Sequence, residues 1–557
     1  MATIAPDNRN PRLTRRAILT ALAGTPLALA GYTLVRAQSA TPVPPAGSPP
    51  AGTPPPSIPS VASPQASPAT PTPAPVIIQW PFYGADIAGT RLAPNGDISS
   101  ANVNLLQPAW TVTVGGPISG TPVIADGVVY IGSYDGVLDA LDLASGSSIW
   151  RYNTGAQVQE PNLHIPLGIT GSAAVDHGVV YTGDATATIH AIDVMSGIAR
   201  WKRKIDSQPA ACIWSSPVVD QGRIYVGVAS VSKETGFRGS VVALNAGDGS
   251  VVWQTYMVPE GADGAGVFAV PALDPQRGTV YVGTQNAYSP HSAPFGNPTS
   301  IVALDMASGA IKWTFSPPEA RGKAAPTEDV GFSASPNLFT ATVNGTSRDL
   351  LGEGQKSGIF WVLDRDTGDV VWQSQISPSG ALGGMEGTSA VANGMIAVPA
   401  TNWPDPSATA AGLVTVVDMA SGAVQWTVTQ SAPAPAPVSI SQDLLFQAGI
   451  EGVLHAYGLT TGTELWRADL GASVSGGIAL ASGLVVLGAA TPPFAPFVKA
   501  GNAVHAFVLT APAATPAPAT PAPTAIATPP TPTAPPLPTA TMPPAPTVTP
   551  SGATPVS

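Results

Sequence analysis

The sequence offers few side chains able to do chemistry. Charged residues make up 10 % of 557 positions, there are six histidines, and the single cysteine is Cys212. One cysteine cannot form an internal disulfide, and no CxxC or CxxCH occurs, which excludes a haem bound covalently within this chain. Oxygen chemistry is left. A carboxylate can take a proton from a hydroxyl group, and carboxylate and amide oxygens together suit a hard cation such as calcium. Such side chains stand in short polar stretches between apolar runs: Glu234 in ETGFRG, Asn286 in VGTQNAY and Asp329 in EDVGFSASPN, with Lys356 nearby in GQKSG. Each also has a plain structural use. Glu234 could be a solvated loop acid beside Arg238, Asn286 a turn cap, Asp329 an acceptor at a strand end, and Lys356 a surface residue at a hairpin. Phe268, in GAGVFAVPALD, could be ordinary core.

The elements that must position these residues come from a repeat. ALDLASGSSIW, Ala140 to Trp150, returns in related form at lines ending in Trp201, Trp253, Trp313, Trp372, Trp426 and Trp466. Each line reads as two strands joined by a tight turn. Alternating apolar residues give the strands. The Asp-x-x-Ser/Thr-Gly piece supplies the turn, Asp accepting backbone N–H bonds and Gly providing a positive φ. A further strand pair precedes each line, as in GTPVIADGVVYIGSYDG. Four antiparallel strands recurring every 40 to 60 residues predict an all-β, eight-bladed β-propeller. An eighth tryptophan, Trp110, opens the series without its first half, and AVHAFVL closes the folded part without a tryptophan. The two pieces are expected to share one blade and close the ring, leaving no free edge. The repeat tryptophans are expected to be core, filling the gap between neighbouring sheets.

Composition divides the chain into four regions. Residues 1–40 carry Arg15 and Arg16, an apolar run and small residues near Ala37, which reads as a twin-arginine export signal. Residues 41–75 and 511–557 are rich in Pro, Thr, Ala and Ser, and such segments bury too little to fold. The propeller is expected over 76–510. Its body would be exported: periplasmic, secreted or at the cell surface, touching a membrane only through the signal if that is uncleaved. The net charge of −11, with no basic cluster in the middle, excludes an ordinary nucleic-acid binder.

The tryptophan repeat resembles that of the quinoprotein alcohol dehydrogenases, which hold pyrroloquinoline quinone (PQQ) and calcium on the propeller axis. The segments GFRGSVVALN, VGTQNAYSP, DVGFSASPN and GEGQKSGIFWVLDRDTG resemble the polyvinyl alcohol dehydrogenases in particular. The resemblance implies roles. Glu234, Asn286 and Asp329 match calcium-binding positions, and Asp329 also matches the general base. Lys356 matches the residue that hydrogen-bonds the quinone oxygens, and Phe268 falls where the family has a tryptophan under the quinone ring. Gly331 stands where lanthanide-using members have a second acid, which favours calcium. There are departures too. Near His164 and Ile165 the family's adjacent cysteines are absent, Thr170 replaces an arginine, and Trp214 replaces a threonine. The implied activity is oxidation of a small or polymeric alcohol, with electrons passing to a separate acceptor such as a cytochrome c. The rival is a non-catalytic propeller serving as a binding or assembly scaffold.

Overall fold

In the computed structural model the described residues are 79–93, 96–159, 165–232, 236–288, 296–318, 329–379, 384–403, 409–492 and 497–510. The proposed signal at 1–40, the linker at 41–75 and the tail at 511–557 lie outside them.

Among the described residues, eight blade sheets stand around an axis, each with a short inner strand and an outer strand that carries a repeat tryptophan. Blade 4 is Ala272–Asp274, Thr279–Gly283, Ile301–Asp305 and Ile311–Phe315. Blade 5 is Asn337–Val343, Thr346–Gly354, Ile359–Asp364 and Val370–Gln375. The ring closes as the split repeat requires. Leu106–Thr113 pairs antiparallel with Ala503–Leu509, from Leu106 opposite Leu509 to Thr113 opposite Ala503. The first tryptophan strand thus completes the last blade.

Neighbouring blades are joined by the repeat itself. The Asp side chain of the turn accepts bonds from the Ser that follows, as Asp142 does from Ser145 N at 2.8 Å and Ser145 Oγ at 2.6 Å. The turn glycine has a positive φ, 71° at Gly146. It also lies flat against the preceding blade's tryptophan, because a Cβ at Gly146 would come within 2.7 Å of the Trp110 ring. The indole then donates Nε1–H to a carbonyl of the next blade: Trp110 to Leu143 at 3.0 Å, Trp150 to Val194 at 2.8 Å, and Trp253 to Met306 at 3.1 Å. One residue thus supplies both ring packing and a hydrogen bond, a pairing suited to tryptophan. The expectation that these rings are core needs correction. Only Trp253 and Trp372 of the eight are buried, and the others are half-buried, since they ride on the outermost strand with one edge facing water.

The segment Trp80–Ala93 lines the inside of the ring. Its carbonyls accept from the inner strands of successive blades, Ile87 from Leu273 at 2.7 Å, Ala88 from Leu338 at 2.9 Å, and Arg91 from Ile440 at 2.9 Å. Arg91 is fully buried and donates to the carbonyls of Val438, Tyr83 and Ile478. Burial pulls its guanidinium down to about 10. Carbonyl dipoles and the Tyr83 ring, 4.9 Å from its Cζ, stand in for a counter-ion.

Candidate functional site

Two kinds of loop meet at one end of the axis: those between blades, and those joining the second and third strands of a blade. The loops between blades share a plan. An apolar residue sits over a glycine at or near the end of the second strand of the blade before. Phe332 covers Gly283, where a Cβ would come within 2.7 Å, and Met385 covers Gly354 at 2.9 Å. Ile118, Ile169, Ile213 and Val267 are placed in the same way. The next residue in each loop is thereby fixed around the axis, and among these residues are Trp214, Phe268, Ser333 and Glu386.

The loops within blades 3, 4 and 5 carry the rest. Blade 3's second strand, Arg223–Ser230, leads into a loop stitched to its neighbours. Gly264 donates to Phe237 O at 2.8 Å, and Ala265 donates to Asn286 O at 2.9 Å. Gly236 N lies 3.5 Å from Asp263 Oδ2. Glu234 itself lies outside the described residues. Asn286 follows the second strand of blade 4, and Lys356 follows that of blade 5. Asp329 precedes Phe332 in the loop between them.

Three of the sequence-selected residues come together here. Lys356 Nζ donates to Asp329 Oδ2 at 3.0 Å, and Asn286 Nδ2 lies 3.5 Å from Asp329 Oδ1. Thr299 Oγ1 donates to Asn286 Oδ1 at 3.0 Å. The Lys356 side chain is only 8 % exposed, so it is no surface lysine, whereas Asp329 is 30 % exposed. Glu386 Oε1 lies 3.4 Å from the same ammonium. Among the described residues, one ammonium thus stands within reach of two carboxylates.

Phe268 is half-buried, with its ring centroid 6.0 Å from that of Trp214 at an interplanar angle of 25°. Trp214 Nε1 donates to Ser230 O at 3.2 Å. Gly331 has no room for an acid, since a Cβ there would come within 2.6 Å of Gln285 Oε1 and 2.9 Å of Gln285 Cα. Thr170 donates its hydroxyl to Ile213 O at 2.8 Å. His164 lies outside the described residues. Tyr288, beside this group, donates to or accepts from Ser230 Oγ at 2.7 Å, and burial pushes its hydroxyl up to about 12.

Sequence reasoning missed Glu386. Its signal was its position: aligning the loops between blades places it one residue after the buried apolar residue, where Trp214, Phe268 and Ser333 also stand. It also missed Glu353, which is fully buried on the second strand of blade 5 with neither carboxyl oxygen hydrogen-bonded. The bare Gly283 opposite leaves room for that carboxyl, and burial holds it far above the usual carboxylate range.

Comparison with known proteins bears on these loops. A family profile described as outer membrane protein assembly factor BamB matches residues 107–237, 135–345, 237–403 and 410–527, most of the chain. The chain belongs to this family of PQQ-type propellers. Relatives of the chain include polyvinylalcohol dehydrogenases and quinohemoprotein alcohol dehydrogenases. A polyvinylalcohol dehydrogenase of Pseudomonas sp. is 27 % identical over 346 residues, covering 55 % of this chain and 53 % of that protein. That of Sphingopyxis sp. (strain 113P3) is 24 % identical over 468 residues, covering 73 % and 69 %. The chain thus spans about half the length of the first of these relatives. The crystal structure of quinohemoprotein alcohol dehydrogenase from Comamonas testosteroni superposes with a TM-score of 0.68 at 21 % identity, covering 79 % of this chain and 82 % of that one, and shares the fold.

Proposed function

We propose that the chain is an exported, PQQ- and calcium-dependent dehydrogenase that oxidises an alcohol. The observation that carries this reading is the meeting of Asn286, Asp329 and Lys356 from consecutive loops at one end of the axis. The donor set fits a hard cation. It offers carboxylate and amide oxygens. Asn286 turns its NH₂ toward Asp329, but an amide reads equally well rotated by 180°. Rotated, it presents oxygen beside Asp329 and its NH₂ can donate to the Thr299 hydroxyl.

Glu234, Asn286 and Asp329 would hold the calcium, and Lys356 and Phe268 the quinone. When bound, the cation polarises a quinone carbonyl and the quinone accepts the electrons of the alcohol. The chain's own part is positional and acid–base. Asp329 Oδ accepts the hydroxyl proton. Lys356 fixes the direction of that carboxylate and keeps further N–H groups for ligand oxygens. Glu386 shares the ammonium, so Lys356 is not drawn wholly onto Asp329. The loops above the axial segment admit substrate from this end. Secondary or polymeric alcohols are the substrate class, by analogy with the polyvinylalcohol dehydrogenase relatives. Electrons leave to a separate acceptor such as a cytochrome c. Arg15, Arg16 and the apolar run that follows support export.

The test is reconstitution of the purified chain with PQQ and Ca²⁺, followed by dye reduction with a panel of alcohols. Alcohol-dependent reduction supports the enzyme. No reduction, with no quinone kept after desalting, leaves the second reading: a non-catalytic scaffold at the cell surface. The description of the matching family as an assembly factor favours that alternative.

A further inference from the structure

We propose that the outer edge of blade 2 docks an acidic polypeptide segment in extended conformation. This does not rest on the dehydrogenase reading. The strand is Ala199–Lys204, ARWKRK. Arg200, Lys202, Arg203 and Lys204 are all exposed on it, four of the chain's 23 Lys and Arg within five positions. This run corrects the expectation that the middle of the chain holds no basic cluster. No other outer strand carries more than one basic residue. Those of blades 1, 4 and 7 hold Arg151, Lys312 and Arg467, and those of blades 3, 5, 6 and 8 hold none.

The strand is a free edge. It pairs with Thr188–Asp193 on one side, and among the described residues no strand lies on the other. Two of the four cations have partners. Arg200 Nη2 donates to Asp193 Oδ2 at 2.7 Å, and Arg203 Nε donates to Gly249 O, in the turn of blade 3, at 3.1 Å. Lys202 and Lys204 have none among the described residues. They stand two residues apart on a pleated strand, so both side chains leave one face, about 7 Å apart at their roots. That face is firmly held. His190 stands opposite Lys202. Its Nδ1 lies 3.0 Å from the Tyr152 hydroxyl of blade 1, and its Nε2 lies 2.8 Å from Asp184 Oδ2.

Lysines on an edge deter a neutral strand from pairing there. The seven other outer edges do without such a run, so a general guard does not account for it. For a strand with carboxylates at alternate positions, the same spacing meets successive acids while the open backbone offers a ladder. A second feature marks this edge as a contact surface. Met195 and Ile198, in the turn leading into the strand, are 84 % and 69 % exposed, the most exposed large apolar side chains among the described residues. Nucleic acid or an anionic membrane fits less well. Either is wider than one strand and would also meet Asp142 and Asp248 in the turns of the neighbouring blades, on a chain of net charge −11.

The probe is a fluorescent peptide of alternating Glu and Thr with Leu at both ends, titrated with the full chain at low salt and read by anisotropy. Three comparisons go with it: Gln in place of Glu, Pro in place of Thr, and oligo-dT or phosphatidylglycerol vesicles. The Glu–Thr peptide should bind, and the Gln and Pro peptides should each bind about tenfold more weakly, since one lacks the charge and the other the ladder N–H groups. Lys202→Glu with Lys204→Glu should weaken the Glu–Thr peptide about tenfold or more, because two attractions become repulsions. Ile198→Ser should weaken it about threefold, and Arg467→Glu, on blade 7, should leave it unchanged. If the double reversal fails to fold, Lys202→Gln with Lys204→Gln should still weaken binding about threefold. The proposal is overturned by a wild-type chain that binds no Glu–Thr peptide, by equal affinity for the Gln or Pro peptide, or by unaltered affinity in the double variants. Lys202-dependent binding of oligo-dT or vesicles that is tighter than that of the peptide also overturns it, and makes the edge a general polyanion surface.

Discussion

The seam between blades 4 and 5 carries charge at both ends, and the two ends are built differently. At the end far from the site, Arg277 uses all three nitrogens: to Asp366 at 2.8 and 3.1 Å, to Asp349 at 2.8 Å, and to Asp274 at 3.1 Å. Arg365 reaches Asp274 at 3.0 Å and Asp349 at 3.1 Å. A planar fork matches several carboxylates at once and fixes their positions. Its bond to Asp366 holds that carboxyl below its ordinary range. At the site end a single ammonium is divided between Asp329 and Glu386, at 3.0 and 3.4 Å, and Asn286 stands at 3.5 Å from Asp329. An ammonium is a point charge with three rotatable donors. Charge that joins blades is locked by guanidinium geometry. Charge that is to meet a ligand is left to a more adjustable group.

That contrast can be broken at several points. The largest effect is expected at the site end. Asp329→Asn should lower kcat/KM for alcohol by about 10²- to 10⁴-fold, the usual worth of a proton acceptor. Quinone should remain bound and the melting temperature nearly unchanged; loss of quinone binding in Asp329→Asn would count against its role as base. Between the ends lies Glu353, whose carboxyl is kept protonated by burial. A raised folded-state value means the native chain holds a proton that the unfolded chain releases above its ordinary value near 4.5. Stability should therefore fall as pH rises from that point toward the folded value, by up to about 1.4 kcal/mol per pH unit for one proton. Glu353→Gln should flatten that slope, measured by urea unfolding from pH 5 to 8. Parallel slopes for the two proteins would show that Glu353 ionises freely in the fold. The smallest effect is expected at the far end. Arg277→Ala should cost about 1 kcal/mol in urea unfolding, because the network is partly exposed and Arg365 remains. Quinone binding should not change; a change there would mean that the two ends are coupled.

The propeller was legible in the sequence because each repeat carries its own local chemistry. The Asp of the turn, its glycine and the tryptophan on the strand that follows act within one blade or on the next, so a single line of eleven residues specifies the interface. Asn286, Asp329 and Lys356 were legible through the segments that hold them. Glu386 was not, because its partner Lys356 lies on a different loop, and only the seating of Met385 on Gly354 brings them together. Trp214 was visible as a departure, but the ring it stacks against, Phe268, stands on the neighbouring loop. Arg91 was missed for a similar reason: besides the Tyr83 carbonyl, its partners are carbonyls of blades 7 and 8, more than 300 residues onward. Long-range pairing of loops around an axis leaves no periodic trace.

The most direct test of the account is equilibrium dialysis of the full chain against PQQ with Ca²⁺ and with chelator, repeated for Asn286→Ala. The account predicts stoichiometric quinone in Ca²⁺, loss of most of it in chelator, and weak binding with little calcium dependence in the variant. Quinone held equally tightly in all three conditions, or held in none, would contradict it.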